Sequence, residues 1–214
     1  MTVVALSGSY GAGGSRIGPL LAERLEIPFL DRAIPSGVAG DLEVAMDEAV
    51  SPDQQQSGSW IERMLTGFAG LDNGGPSPLP ADTVTSDDFR HATERILREQ
   101  AATGDGVILG RAAVLVLRDE PAVIRVRLDG PAPRRVRQAM ELVGISHETA
   151  ERRRRQVDHA HTVYAEHFYG ARLTDPGLYH VMLDSTALEL DACAEMIELA
   201  VRSVRERADQ DQPR

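Results

Sequence analysis

Residues 8–15 have the composition and spacing of a segment that binds phosphate. They read GSYGAGGS, between the apolar run at 3–7 and a helix-like stretch that begins at Arg16. The spacing fits the pattern G-x-x-x-x-G-K-[ST], except that Gly14 stands at the lysine position. In such a loop, backbone N–H groups converge on an anion and the following helix adds its positive end.

We therefore predict that this glycine loop, with Arg16, holds the phosphates of a nucleotide, and that Ser15 contacts Mg²⁺. The alternative is a turn that only joins a strand to a helix. The residues predicted to bind the cofactor are Gly8, Ser9, Tyr10, Gly11, Ala12, Gly13, Gly14, Ser15 and Arg16.

The missing lysine has no replacement of its own type, because all 23 basic residues counted as Lys or Arg are arginine. A loop lysine normally offsets charge on the transferring phosphate. Arg16 is the nearest arginine in the sequence, although on a helix its side chain can point away from the loop.

Two further polar residues follow predicted strands, where the carboxyl ends of parallel strands face a ligand crevice. Asp31 ends the run IPFLD and is predicted to act as a base or a partner of Mg²⁺, or to cap the next helix. Arg111 follows GVILG and is predicted to clamp a phosphate, with a surface position as the alternative.

The four consecutive arginines Arg152–Arg155 precede Asp158 on a predicted helix. Four successive side chains point all round a helix, so the run as a whole fits a solvated face. One or two members could swing over a nucleotide and stabilise phosphate charge. His159, His161 and His167 lack convincing ligand spacing for zinc.

The balance of 33 acidic against 23 basic residues, a net charge of −10, argues against nucleic acid or an anionic membrane as partner. The single Cys193 excludes an internal disulfide and is expected in the core. With neither a signal peptide nor an apolar run of about 18 residues in view, we expect a cytoplasmic protein.

Predicted strands alternate with predicted helices along the chain, which indicates an α/β fold with a mostly parallel sheet between helices. We expect strands near 3–7, 27–31, 106–110, 123–128 and 179–184. Residues 1–208 are predicted to form one domain, with a flexible insertion at 51–86, whose prolines and glycines favour a loop. Residues 209–214 read as a disordered tail.

Five segments together resemble the cytidylate kinase-like family: LSGSYGAGGSRIG, IPFLD, VILGR, DHAHTVY and YHVMLDST. The resemblance covers most of the chain except 51–86. It implies a three-layer P-loop nucleotide-kinase fold with a five-stranded parallel sheet in the order 2-3-1-4-5. It also implies ATP at Gly8 to Arg16, an acceptor near Asp31 and Arg111, and a lid within 146–172.

These residues predict ATP- and Mg²⁺-dependent phosphoryl transfer to a CMP-like nucleoside monophosphate or a related small molecule. The predicted catalytic residues are Arg16, Asp31, Arg111, Arg155 and Asp158. Compared with cytidylate kinases, the chain has Gly14 for the loop lysine, Leu109 for an aspartate, and His159 and His161 for lid arginines. A catalytically degenerate, nucleotide-sensing protein, with a homodimer as one possible assembly, is therefore the alternative.

Overall fold

The computed structural model describes residues 2–31, 94–95, 97–102, 104–110 and 112–210. Residues 1–31 and 97–214 belong to one compact unit, and 32–96 are not part of it. The predicted insertion at 51–86 lies outside the described residues. The architecture below is that of the compact unit.

Five parallel strands form the central sheet. They are β1 (Val3–Gly8), β2 (Phe29–Asp31), β3 (Gly106–Leu109), β4 (Val123–Asp129) and β5 (Val181–Asp184). Their order is β2-β3-β1-β4-β5, as the resemblance implied. Because β1 pairs with both β3 and β4, the glycine loop leaves the middle of the sheet.

The helices cover both faces of this sheet. They are α1 (Gly14–Leu25), α2 (Ala113–Val116), α3 (Ala132–Val143), α4 (His147–Tyr169) and α5 (Leu190–Gln210), and residues 97–102 of this unit are also helical. Alternate residues of a strand point to opposite faces. Leu6 accordingly packs with Ile17 of α1 and Ile197 of α5, whereas Ala5 packs with Val114 of α2 and Ala165 of α4.

Most predicted elements are confirmed, with shifts at their ends. Ser146 caps α4 by accepting from the Thr149 N–H, as a serine at this position should. The fifth strand begins at Val181, because Pro176–Leu178 form a turn of 3-10 helix before it. Helix α5 continues to Gln210, which is the second residue of the predicted tail at 209–214, and residues 211–214 lie outside the described part of the chain.

The prediction for Cys193 is also confirmed. Its side chain is fully buried in the cluster between the sheet, α1 and α5. Burial raises the pKa of this thiol, and the nearby negative charge of Asp184 acts in the same direction. Cys193 is therefore a packing residue.

Candidate phosphate-binding site

The glycine loop joins β1 to α1 and takes a backbone shape that glycine favours. Gly11 and Gly13 have φ angles of 78° and 74°, in the left-handed region that other residues rarely adopt. Gly13 is also the N-cap of α1, with no side chain to occupy the helix end. The loop thus presents bare backbone at the N-terminus of a twelve-residue helix.

The carbonyl groups of five consecutive loop residues, Ser9 to Gly13, have donors. The Ser9 carbonyl accepts from the Ala12 N–H at 3.0 Å, and the Gly13 carbonyl accepts from the first turn of α1. Side chains of α3 and of the residue after β5 bind the other three: Arg135 binds the carbonyl of Tyr10 at 2.8 Å, Gln138 that of Gly11 at 3.1 Å and Ser185 that of Ala12 at 2.7 Å.

The loop N–H groups are in a different situation. The Tyr10 N–H donates to Asp158 Oδ1 at 3.0 Å. Within the described part of the chain, no acceptor binds the N–H groups of Gly11, Gly13, Gly14 or Ser15. A loop held by its carbonyls, with its donors left over at a helix N-terminus, is built to receive an anion.

Arg127 of β4 lies behind the loop and is 6% exposed. Its guanidinium donates to Ser7 Oγ at 3.0 Å, to Ser9 Oγ at 2.6 Å and to Asp129 Oδ2 at 3.0 Å. Although burial acts against the charged form, the Arg127 charge and hydrogen bonds from Gly130, Ser9 and Arg127 lower the pKa of Asp129. An ionised carboxylate therefore pairs with a buried cation at this point.

Arg135 of α3 is the second buried arginine, at 7% exposure. It donates to the carbonyls of Gly130 and Tyr10 and, at 2.8 Å, to Asp158 Oδ2. Tyr10 is thus held at its N–H by Asp158 and at its carbonyl by Arg135. This links the loop to α3 and α4 at once.

Gly14, at the lysine position, faces an apolar side chain. A Cβ built on Gly14 would lie 3.0 Å from Leu109 Cδ1 and 3.9 Å from Leu128 Cδ1. Leu109 is also the residue that stands where cytidylate kinases have an aspartate. The two differences from cytidylate kinases therefore pack against each other, and a side chain at 14 would require the end of the Leu109 side chain to shift.

Of the predicted site residues on α1 and at the ends of β2 and β3, the structure describes the side chains of Ser15 and Arg16 only. Ser15 and Arg16 are exposed on the first turn of α1. The backbone of Asp31 ends β2 opposite Leu109 of β3, and its side chain lies outside the described residues. Arg111 also lies outside them, so the roles of Asp31 and Arg111 stay predictions.

The arginine run on α4 contacts its own helix. Arg155 donates to Glu151 Oε1 at 3.0 Å, and Arg154 donates to both oxygens of the same carboxylate. These arginines lower the pKa of Glu151 to about 2. Arg154 also lies 3.7 Å from Asp158 Oδ2. Of the predicted catalytic residues on α4, only Asp158 contacts the loop.

His161 lies one turn beyond Asp158 on α4 and is half-buried. Burial lowers its pKa, and the charge of Arg127 lowers it further, against the opposing effect of Asp158. Near neutral pH the imidazole is therefore uncharged. Among the described residues, no group of three or more His, Cys, Asp or Glu side chains could hold a metal ion.

Four residues that hold the loop carry no functional signal in the sequence: Arg127, Arg135, Gln138 and Ser185. Arg127 alternates with apolar residues in β4, as does Arg125, and a cation in such a strand indicates a buried, paired group. Arg135 and Gln138 looked like an ordinary polar helix face. Ser185 lay in a segment of the resemblance, without a role.

Known proteins resemble this chain in sequence and in fold. A curated cytidylate kinase from Methanopyrus kandleri is 27% identical over 124 residues, which span 54% of this chain and 64% of that protein.

In the described part of this chain, none of the helices is both long and apolar enough to cross a bilayer.

Solved structures show the same fold at low identity. A protein of uncharacterised function from Eubacterium ventriosum matches with a TM-score of 0.62 at 20% identity, over 95% of this chain and 99% of its own. A gluconokinase from Sinorhizobium meliloti matches at 0.53 and 16%, over 99% and 98%. A deoxyadenosine kinase from M. mycoides, with dCMP and dCDP bound, matches at 0.51 and 12%, over 94% and 100%.

The resemblance seen in five short segments extends over most of the chain. The cytidylate kinase-like family matches residues 3–187, which include the glycine loop, all five strands and helix α4. Over that length, and with the strand order and loop geometry described above, the chain belongs to the cytidylate kinase-like family.

Proposed function

We propose that this chain is an ATP-dependent kinase that phosphorylates a CMP-like nucleoside monophosphate or a related small molecule. The observation that carries the proposal is the state of the glycine loop. Its carbonyls are bound from behind, and the N–H groups of Gly11, Gly13, Gly14 and Ser15 have no acceptor among the described residues. Family membership supports phosphoryl transfer to a nucleotide or another small molecule.

The loop would hold the phosphates of the donor ATP. Four N–H groups and the N-terminus of α1 suit an anion, because both direct positive partial charge at it. Mg²⁺ commonly takes few protein ligands and several from phosphates and water. The exposed hydroxyl of Ser15 fits that limited role, and the ion would neutralise phosphate charge.

The acceptor would lie beyond the ends of β2 and β3. These strands are neighbours and parallel, so they end at the same side of the sheet; Asp31 is the last residue of β2, and Arg111 comes two residues after β3 in the sequence. Asp31 would orient the acceptor hydroxyl or phosphate, and Arg111 would bind its anion. Arg155 and Asp158 would join them only after leaving Glu151 and the Tyr10 N–H.

A second function is favoured by a specific observation at the lysine position. Gly14 and Leu109, which pack against each other, occupy the positions where cytidylate kinases have a lysine and an aspartate. A protein that binds nucleotide and changes shape without turnover would need only the loop N–H groups. We therefore keep a nucleotide sensor as the alternative.

The test is product formation from ATP, Mg²⁺ and a panel of nucleoside monophosphates, with gluconate and shikimate as non-nucleotide acceptors. Gly13→Asp is the control, because the φ of 74° and the nearby Leu190 and Gln138 oppose any side chain. A carboxylate there also repels phosphate. We expect transfer by the natural chain and none by the control.

Calorimetry separates the two functions. ATP binding with no transfer to any acceptor would refute the kinase and support the sensor. An unchanged rate in Gly13→Asp would show that the activity does not come from the loop. Failure to bind any nucleotide would refute both functions.

A further inference from the structure

Arg127 is a buried cation in a central strand, and the proposed function assigns it no role in binding phosphate. It pairs in register with Ser7 of β1 on one side and Met182 of β5 on the other. Charged side chains are rarely buried, because removing an ion from water is costly. An arginine at this point of the sheet therefore requires a specific compensating role.

The guanidinium lies directly behind the start of the glycine loop. Its shortest hydrogen bond, at 2.6 Å, goes to the hydroxyl of Ser9, the second residue of the loop. Nε is buried and has no hydrogen-bond partner in the described part of the chain. Hydrogen bonds to Ser7, Ser9 and Asp129 therefore fix the position of the guanidinium, although they do not pair all of its N–H groups.

The charge of Arg127 is only partly offset. Its carboxylate partner Asp129 also lies 3.5 Å from Arg135, whose closer partner is Asp158 at 2.8 Å, so Arg127 shares its one carboxylate with a second cation. The Asp129 side chain is 35% exposed and that of Arg127 only 7%. Water screens an exposed charge more than a buried one, which leaves positive potential on the buried side.

We propose that Arg127 supplies, from β4, the fixed positive charge that a lysine after Gly13 gives to other phosphate loops. It is a positioning residue that touches the loop and not the nucleotide. Its charge favours nucleotides with more phosphates over those with fewer. This inference rests on the proposed function, since it assumes that the loop binds a nucleotide's phosphates.

The experiment measures AMP, ADP and ATP binding to the full chain by calorimetry, at low and high salt. Arg127→Gln removes the charge, and Arg127→Lys keeps it with fewer hydrogen bonds. We expect Arg127→Gln to bind ATP about tenfold more weakly and AMP no more than about threefold, with the difference shrinking in salt. Arg127→Lys should keep the natural preference for ATP over AMP.

Equal losses for all three nucleotides, or equal losses in the two variants, would show a purely structural role and overturn the inference. Asp129→Asn provides a test of opposite sign if Arg127→Gln does not fold. Removing the partner's charge should tighten ATP several-fold relative to AMP. Unchanged or weaker relative ATP binding in Asp129→Asn would also overturn the inference.

Failure here is distinguishable from failure of the proposed function. Nucleotide binding that depends on Arg127 as described, without phosphoryl transfer, supports this inference and refutes the kinase. Transfer that proceeds normally in Arg127→Gln refutes this inference and leaves the kinase intact. A natural chain that binds no nucleotide refutes both.

Discussion

The buried arginines of β4 and α3 and the arginine run of α4 differ in what their guanidinium groups contact. Arg127 and Arg135 donate to atoms of the glycine loop. Arg154 and Arg155 donate to Glu151, one turn away on their own helix. The first pair comes from two elements that are far from the loop in sequence, and the second pair lies on one helix, with Arg154 half-buried and Arg155 exposed.

The difference shows why charge density in a sequence is a poor guide to function. Four adjacent arginines are conspicuous, yet they point in different directions around the helix, and two of them bind a glutamate one turn away. An arginine in an otherwise apolar strand is less conspicuous, but a buried arginine destabilises the fold unless its charge and N–H groups are paired. Four pairs of variants compare groups that hold or adjoin the loop with groups away from it, from the largest expected effect to the smallest.

Replacing Arg135 should destabilise the fold far more than replacing Arg155. Arg135→Met removes the arginine that donates to Asp158 Oδ2 and to the Tyr10 and Gly130 carbonyls, so we expect the free energy of unfolding to fall by about 3–5 kcal/mol. Arg155→Met, at an exposed site, should change it by no more than about 0.5 kcal/mol. Urea denaturation followed by circular dichroism measures both, and similar losses would abolish the contrast.

Adding a methyl group to the back of the loop should have the next largest effect. A Cβ on Gly11 would lie 2.2 Å from the Arg135 carbonyl oxygen, besides the strain of its φ. We expect Gly11→Ala to lower the free energy of unfolding by about 2–4 kcal/mol.

Gly144→Ala is the matched control for Gly11→Ala. Gly144 has a similar φ of 72° and nothing within 4 Å of the added atom, so only the strain of about 1 kcal/mol remains. The same denaturation assay applies. Equal losses in the two variants would mean that the loop is not packed tightly against α3.

Ser185 tests a single neutral hydrogen bond to the loop. Ser185→Ala removes the donor to the buried Ala12 carbonyl, so we expect a loss of about 1–2 kcal/mol in the free energy of unfolding. Ser203→Ala, at an exposed position on α5, should stay within about 0.5 kcal/mol. A loss at Ser185 no larger than at Ser203 would show that this contact does not hold the loop.

The smallest effect concerns pH and His161. Its pKa is lowered in the fold, so the unfolded chain binds the proton first as pH falls below about 6.5. The stability from this group is complete above that pH and is lost as pH falls from 7 towards 5. The pKa of His180 is lowered too, by burial and Arg125, and adds to the same trend.

His161→Gln should therefore show a shallower loss of stability between pH 7 and 5 than the natural chain, measured by urea denaturation at each pH. His180→Gln gives a comparison away from the loop. An unchanged slope in His161→Gln would mean that the pKa of His161 is the same in the folded and unfolded chain, and so that burial and Arg127 do not lower it.

The strands, the helices and the glycine loop could be predicted from the sequence because each depends on local pattern. Leu6 lies in a short apolar run and Ile17 in an apolar pattern with helical spacing, and a serine such as Ser146 by itself indicates the start of a helix. The strand order came from the resemblance, since periodicity within a strand does not identify its neighbours. The ends were less accurate, as at α5, where helix propensity extends past the apolar stripe.

The loop's supports could not be predicted from local pattern. Gln138 and Ser185 are far from the loop in sequence and reach it only because β4, α3 and β5 converge beside β1. The charged run predicts a catalytic role for Arg155, but in the structure Arg155 donates to Glu151. Asp158, predicted with it, contacts the loop by accepting from the Tyr10 N–H.

The sequence by itself determined that this chain has a phosphate-type loop without lysine, in an α/β fold whose cations are all arginine. Those properties are written in residue type and spacing. Only the tertiary structure decided which arginines serve the loop, because a buried guanidinium is placed by partners from several elements. Arg127 and Arg135 hold the loop from behind, and its N–H groups are left for an anion.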